Sequence, residues 1–195
     1  EAGKKASTNN TGTYSEIILG LPGDNIDAHR QSLKDVVEMR FDNIRMYQLI
    51  MLPQTPMNTP AERRKYKMKT KFRIMPRSFG NYEIGNKKFV AVEYEEITIS
   101  NKSLPFKDYA YCREMDLTIE ILHNGRVYSE VAGICDAYNL SWFDLIMTFF
   151  ERRYDHTTEI SKMYKEFRKG TTKQLWNNED ELTEYVKNNI DSLLV

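Results

Sequence analysis

A short apolar strand that stops dead at a glycine–proline turn constrains this chain more than any other feature. Residues 14–25 read YSEIILGLPGDN. The stretch from Ser15 to Gly20 is β-branched and apolar, the composition of a strand covered on both faces. Pro22 and Gly23 break it, and Asp24 or Asn25 can then cap a helix. Ile26, Leu33, Val36, Val37 and Arg40 follow at three- and four-residue spacing, with His29, Lys34, Asp35 and Glu38 mostly off that stripe. A second strand, NIRMYQLIML, runs from Asn43 to Leu52 and ends at Pro53. Strand, helix, strand predicts a parallel, right-handed βαβ unit. Two parallel strands cannot close a core alone, because such a sheet needs neighbours and cover. The front of the chain reads as an excerpt from a larger sheet.

Beyond it, Thr59, Pro60 and Glu62 form a capping-box signature for a short helix. The segments KFRIMPRSFG and KFVAVEYEEITIS read as extended. In the second, the alternation of Val90, Val92 and Tyr94 slips by one before Ile97 and Ile99, which fits either a bulge or a strand running into a turn. Helical periodicity then begins near Phe106, Val127, Ser141, Thr157 and Glu179. Gly170 is placed to end the helix that holds Ile160, Met163, Tyr164 and Phe167. The last helix sets Leu182, Tyr185, Val186, Ile190 and Leu193 on one side. The expectation is an α/β front and a helical back.

Composition narrows the functional classes. The 28 basic and 28 acidic residues balance over 195 positions, so no global field steers the chain to nucleic acid or an anionic membrane. No apolar run approaches the roughly 20 residues that span a bilayer, and the polar opening EAGKKASTNNTG is not a secretory signal. That opening reads either as a flexible terminus or as the place where a longer protein was cut. Cys112 and Cys135 make neither a disulfide framework nor a metal knuckle; they read as apolar fillers in a cytoplasmic protein. His29, His123 and His156 share no ligand spacing and read as surface or capping residues. The basic run ERRKYKMKTKFR reads as a solvated face, with Arg73 and Arg77 the candidates for an anionic group. EYEE (residues 93–96) reads as solvated or arginine-paired, and Trp142, Phe143, Phe149 and Phe150 as packing.

YSEIILGLPGDN followed by IRMYQLIMLPQTPMNT resembles the later barrel strands of radical S-adenosylmethionine enzymes, in the branch that carries a cobalamin-binding domain upstream. In that family one strand ends in Gly-Leu-Pro-Gly-Glu/Asp-Thr and the next in Leu-Pro-Gly-Thr. TKFRIMPRSFGNYEI, VEYEEITISNKSLPFKDY and CREMDLTIEILHNG also resemble the family's C-terminal region. The resemblance implies an α/β fold, a partial (β/α) barrel followed by a mainly helical extension. It divides the chain into a flexible segment (1–13), partial barrel (14–100) and helical region (101–195). It implies S-adenosylmethionine and a [4Fe–4S] cluster as cofactors, with cobalamin as a further one, and radical methyl transfer or rearrangement on a small-molecule or glycan-type substrate. The cluster donates an electron, the sulfonium cleaves, and a deoxyadenosyl radical abstracts hydrogen.

Carried over by position, Ile18, Gly20 and Leu21 would line the adenine side, Pro22 and Gly23 would shape the turn, and Tyr47, Leu49, Leu52 and Pro53 would sit at the same mouth. Glu16 would face the barrel interior and touch cofactor or substrate. The sequence departs from the family in four ways. CxxxCxxC is absent, no segment resembles the cobalamin motif, Gln54 stands where Gly is usual, and Arg40 where a helix-ending Gly is expected. The reading that follows is the C-terminal part of a longer enzyme whose partner is its own N-terminal half; the alternative is a non-catalytic helical interaction module.

Overall fold

The computed structural model describes residues 12–193. Strands β1 (Tyr14–Leu19) and β2 (Asn43–Gln48) form a parallel pair joined by helix α1 (Ile26–Glu38). A 3-10 turn (Pro56–Asn58) and the short α2 (Pro60–Lys65) lead into a long antiparallel hairpin, β3 (Lys69–Ile84) and β4 (Lys87–Ser100). Five helices follow: α3 (Phe106–Leu122), α4 (Ser129–Ala137), α5 (Trp142–Glu151), α6 (Thr158–Lys173) and α7 (Glu179–Leu193). The fold is α/β, and the two parallel strands do not form a barrel in this structure.

Local chemistry sets the boundaries. Asn25 caps α1 by accepting from the Ala28 amide, and Thr59 caps α2 by accepting from Glu62. The core is one cluster: Leu19 and Ile44 from the parallel pair, Leu33 and Val37 from α1, Ile97 from β4, Met115 and Ile119 from α3, Phe143 and Phe150 from α5. α1 and α5 lie antiparallel, linked by Lys34 to Asp144 and Arg30 to Glu151. Glu38 accepts from the Phe143 amide and the Ser141 hydroxyl, placing a negative charge at the start of α5, where the helix dipole favours it.

Several expectations are corrected. The second strand ends at Gln48, not Leu52, because the chain changes partners: Leu49 N–H donates to Leu19, its carbonyl accepts from Thr98, and Met51 N–H donates to Glu96. Helix α6 runs through Gly170 to Lys173. The slip in β4 is not a bulge. Tyr94, Glu95, Glu96 and Ile97 pair in step with Ile74, Arg73, Phe72 and Lys71, while the irregularities lie between Ile74 and Phe79 and at Thr98–Ser100. The strand instead changes surroundings along its length: Val90, Val92 and Tyr94 are half-buried beside α7, and from Ile97 to Ser100 both faces are buried, with Ile97 and Ile99 in the core. Glu95 holds one inward position and is paired with Arg73.

Two of the three histidines are buried rather than at the surface, while His156 bonds the Phe149 carbonyl at the end of α5. His29 is buried against Asp116, Nε2 to Oδ1 at 2.7 Å. His123 is buried too; its Nε2 lies 2.6 Å from the Phe41 carbonyl, and Nδ1 accepts from the Trp142 indole N–H. Those partners require the neutral ring with the proton on Nε2, and burial holds its pKa below 6.5. The unfolded chain therefore binds a proton that the native ring refuses, and stability falls as pH drops below about 6.5. A thermal-midpoint series from pH 7 to 5 should show this loss, and His123→Gln should lack that share of it.

Candidate functional site

The strand ends are built by a type II turn. Asp24 N–H donates to the Leu21 carbonyl, with Pro22 and Gly23 between them and Gly23 at φ +89°. Asp24 is tied down, its carboxylate accepting from the Gly20 and Asn25 amides. Gly20 is buried at φ +97°, and a Cβ there would lie 3.5 Å from the Thr98 carbonyl. At Gly23 a Cβ would meet nothing within 4 Å, so this backbone borders open space.

A residue the sequence reading missed fixes the turn in place. The Asn101 carboxamide donates to the carbonyls of Gly20 and Leu21 and accepts from Ser103 and Leu104. It joins the turn to the β4–α3 loop. Its sequence signal was faint: an asparagine in a polar loop, 80 and 81 residues from its partners.

The predicted site residues divide into three groups. Glu16, Ile18 and Tyr47 share one face of the parallel pair with Tyr14 and Arg45, and no described element covers that face: Ile18 is 45% and Tyr47 42% exposed. Among the described residues α1 packs only the other side, so this chain supplies one of the two covers expected from the sequence. Leu21, Gly23, Leu52 and Pro53 are exposed at the strand ends and Pro22 is half-buried. Gly20 and Leu49 are buried and lie behind the surface.

Electrostatics on the open face are sparse. Glu16 and Arg45 stand opposite in register, yet the Arg45 guanidinium lies over the Tyr14 ring, 5.4 Å from its centroid. Glu16 has no ion pair among the described residues. Arg73 is engaged by Glu95 and by Gln48, so it does not offer a free charge. Arg63 clamps Glu96 and Asn58. Burial works to raise the Glu96 pKa, but hydrogen bonds from Arg63 and Thr70 outweigh it and hold the carboxyl below its ordinary value.

Two residues without glycine's freedom hold a left-handed backbone. Arg40 has φ +62° and Gln54 φ +64°, the left-handed region that glycine adopts freely. Gln54 is exposed, so Gln54→Gly should stabilise the chain by up to about 1 kcal/mol as left-handed strain is relieved, partly offset by unfolded-state entropy. Denaturant unfolding checks this.

The strand ends present exposed, largely apolar side chains. Ile18, Leu21, Tyr47 and Leu52 offer contact area, Gly23 permits close backbone approach, and Glu16 offers one acceptor. This surface does not fit an iron–sulfur cluster. Cys112 and Cys135 are buried in separate helices, burial pushes the Cys112 thiol pKa upward, and no group of three metal-binding side chains occurs among the described residues. No helix among the described residues is long and apolar enough to cross a membrane.

No family model matches the chain. It is similar to the 2-(S-pantetheinyl)-carbapenam-3-carboxylate methyltransferase of Streptantibioticus cattleyicolor, 24% identical over 172 residues, covering 85% of this chain and 24% of that protein. It is also similar to the cobalamin-dependent radical SAM methyltransferase TokK of Streptomyces tokunonensis, 26% identical over 123 residues, covering 63% of this chain and 17% of that protein. The chain thus spans about a quarter or less of the length of these distant relatives, and both are methyltransferases.

Proposed function

We propose that this chain is the closing portion of a cobalamin-linked radical S-adenosylmethionine methyltransferase, and that its strand ends wall the pocket for the adenosine part of the cofactor. The uncovered sheet face carries the reading. A right-handed crossover puts α1 on one side of β1 and β2, and further units of the same hand put their helices beside it. The opposite face then turns inward. In a doubly wound sheet that face would meet helices and be uniformly apolar. Here Glu16, Asn43 and Arg45 are interspersed with Tyr14, Ile18 and Tyr47, a lining suited to a barrel mouth where ligands meet the carboxyl ends of strands. The similarity to two methyltransferases favours methyl transfer over rearrangement.

In this reading Ile18, Leu21, Tyr47 and Leu52 contact the base and exclude water, and Gly23 lets the backbone approach. Glu16 accepts from a ligand hydroxyl or amine. When bound, S-adenosylmethionine supplies the methyl group and, with the cluster, the radical chemistry. The cluster thiolates, the cobalamin domain and most substrate contacts belong to the partner, the N-terminal remainder of the same protein.

The coding region ahead of Glu1 should carry an in-frame CxxxCxxC; an in-frame stop codon there would overturn the reading. In the longer enzyme, Gly23→Val should cut methyl transfer about 100-fold by displacing the ligand, with a thermal midpoint close to that of Gly23→Ala. Unchanged turnover would remove this turn from the pocket.

A further inference from the structure

We propose that the groove between α4 and α5 is a binding site for a small amphipathic carboxylate. Its volume is about 320 Å³, within the range of small-ligand pockets. Leu145 and Phe149, with the nearly buried Trp142 and Ile146, make the α5 wall, and Leu122 and Val131 line the groove with them. From Trp142 to Arg152 this wall extends for roughly 15 Å at the helical rise. Nothing in it resembles the strand-end surface, and none of its residues is shared with it. The proposal stands whether or not the reading above holds.

Charge at the groove's end selects the occupant. Arg152 and His156 line it there. The residues flanking Arg152 are committed: Glu151 accepts from Arg30 and Tyr111, and Arg153 is held by Glu114. The Arg152 side chain has no hydrogen bond or ion pair among the described residues. An apolar trough that ends in one uncommitted guanidinium complements a ligand with an apolar body and a single planar anionic head, which a guanidinium grips with two parallel hydrogen bonds. Leu145 and Phe149 would cover the body while Arg152 holds the head, with the nearly buried Trp142 ring at the edge of the groove.

Trp142 is also the reporter. In the full chain carrying Trp176→Phe it is the only indole. Titration with hexanoate, octanoate and decanoate should give saturable changes in its fluorescence, with affinity rising about fourfold per added methylene until the groove is full. 1-Octanol should bind at least about tenfold more weakly than octanoate, and Arg152→Gln should abolish that preference. Val131→Glu, which sets a like charge in the wall, should remove octanoate binding, with circular dichroism showing both variants folded. Absence of saturable binding at millimolar ligand, equal affinity for octanol and octanoate, or full octanoate affinity in Arg152→Gln would each overturn the proposal. The last pattern, with the chain-length dependence kept, would mark the groove as an apolar pocket that does not select an anionic head.

Discussion

Glu114→Ala should lower stability by about 3–5 kcal/mol, read as a fall of roughly 6–20 °C in the thermal midpoint for a domain of this size. Glu114 sits at the centre of α3 and is fully buried. Arg153 donates to its Oε2 at 2.8 Å, the Tyr154 hydroxyl donates to Oε1 at 2.8 Å, and Arg168 forms an ion pair with Oε1 at 3.0 Å. Arg153 is itself only 8% exposed in its side chain and lies over the rings of Phe150, Tyr154 and Tyr111. Removing the carboxylate leaves that guanidinium buried without its counter-charge and opens a void beside it. Arg168, 40% exposed, can swing to water and loses little. The double variant Glu114→Leu with Arg153→Met should therefore recover most of the loss, since apolar groups of similar volume replace a buried pair at little cost. If the single and double variants melted alike, the buried pair would not be what holds α3, α5 and α6 together.

That hub also shows where the sequence is legible and where it is not. The turn chemistry of Pro22–Gly23, the caps Asn25 and Thr59, the βαβ order and the onset of each helix rest on neighbouring residues, and they appear where local pattern places them. Helix α3 does not follow an amphipathic pattern, because it is buried on most of its circumference: Tyr109, Cys112, Glu114, Asp116, Thr118 and Ile119 are all inside. Its polar residues look solvent-facing until their partners are known. Those partners are 87 residues away for Asp116 and 39 for the Glu114–Arg153 pair. The same distance hides His123, whose ring is read as exposed until Trp142 and Phe41 close on it.

At the candidate site, alternation holds along β1 and stops at the end of β2. Glu16 and Ile18 fall on the open face by simple alternation. Leu49, carried over by position with Tyr47, is buried instead, because the strand has already ended and its carbonyl is claimed by Thr98 of the hairpin. Alternation holds only while a strand keeps its partner. The hairpin that ends it begins more than twenty residues later in the sequence.

The second large effect concerns the glycine turn, where two residues with nearly the same backbone should respond differently. Gly20 and Gly23 have φ of +97° and +89°, so alanine at either position carries a similar conformational cost of about 1–2 kcal/mol. Space separates them. A Cβ at Gly20 already lies 3.5 Å from the Thr98 carbonyl and 3.8 Å from its Cβ and methyl, ordinary contact for alanine but leaving no room for more. The two methyls of Gly20→Val must push into Thr98, which is fully buried and whose amide donates to Leu49. Overpacking there should add about 1–3 kcal/mol, for a total of roughly 2–5 kcal/mol by the two effects together. Gly23→Val meets open space and should cost little more than Gly23→Ala. Denaturant unfolding of the four variants reads the difference directly: the valine-minus-alanine increment at Gly20 should exceed that at Gly23 by at least about 1 kcal/mol. Equal increments would mean that Thr98 does not back the turn, and the rigid link from strand end through hairpin to Asn101 would fail with it.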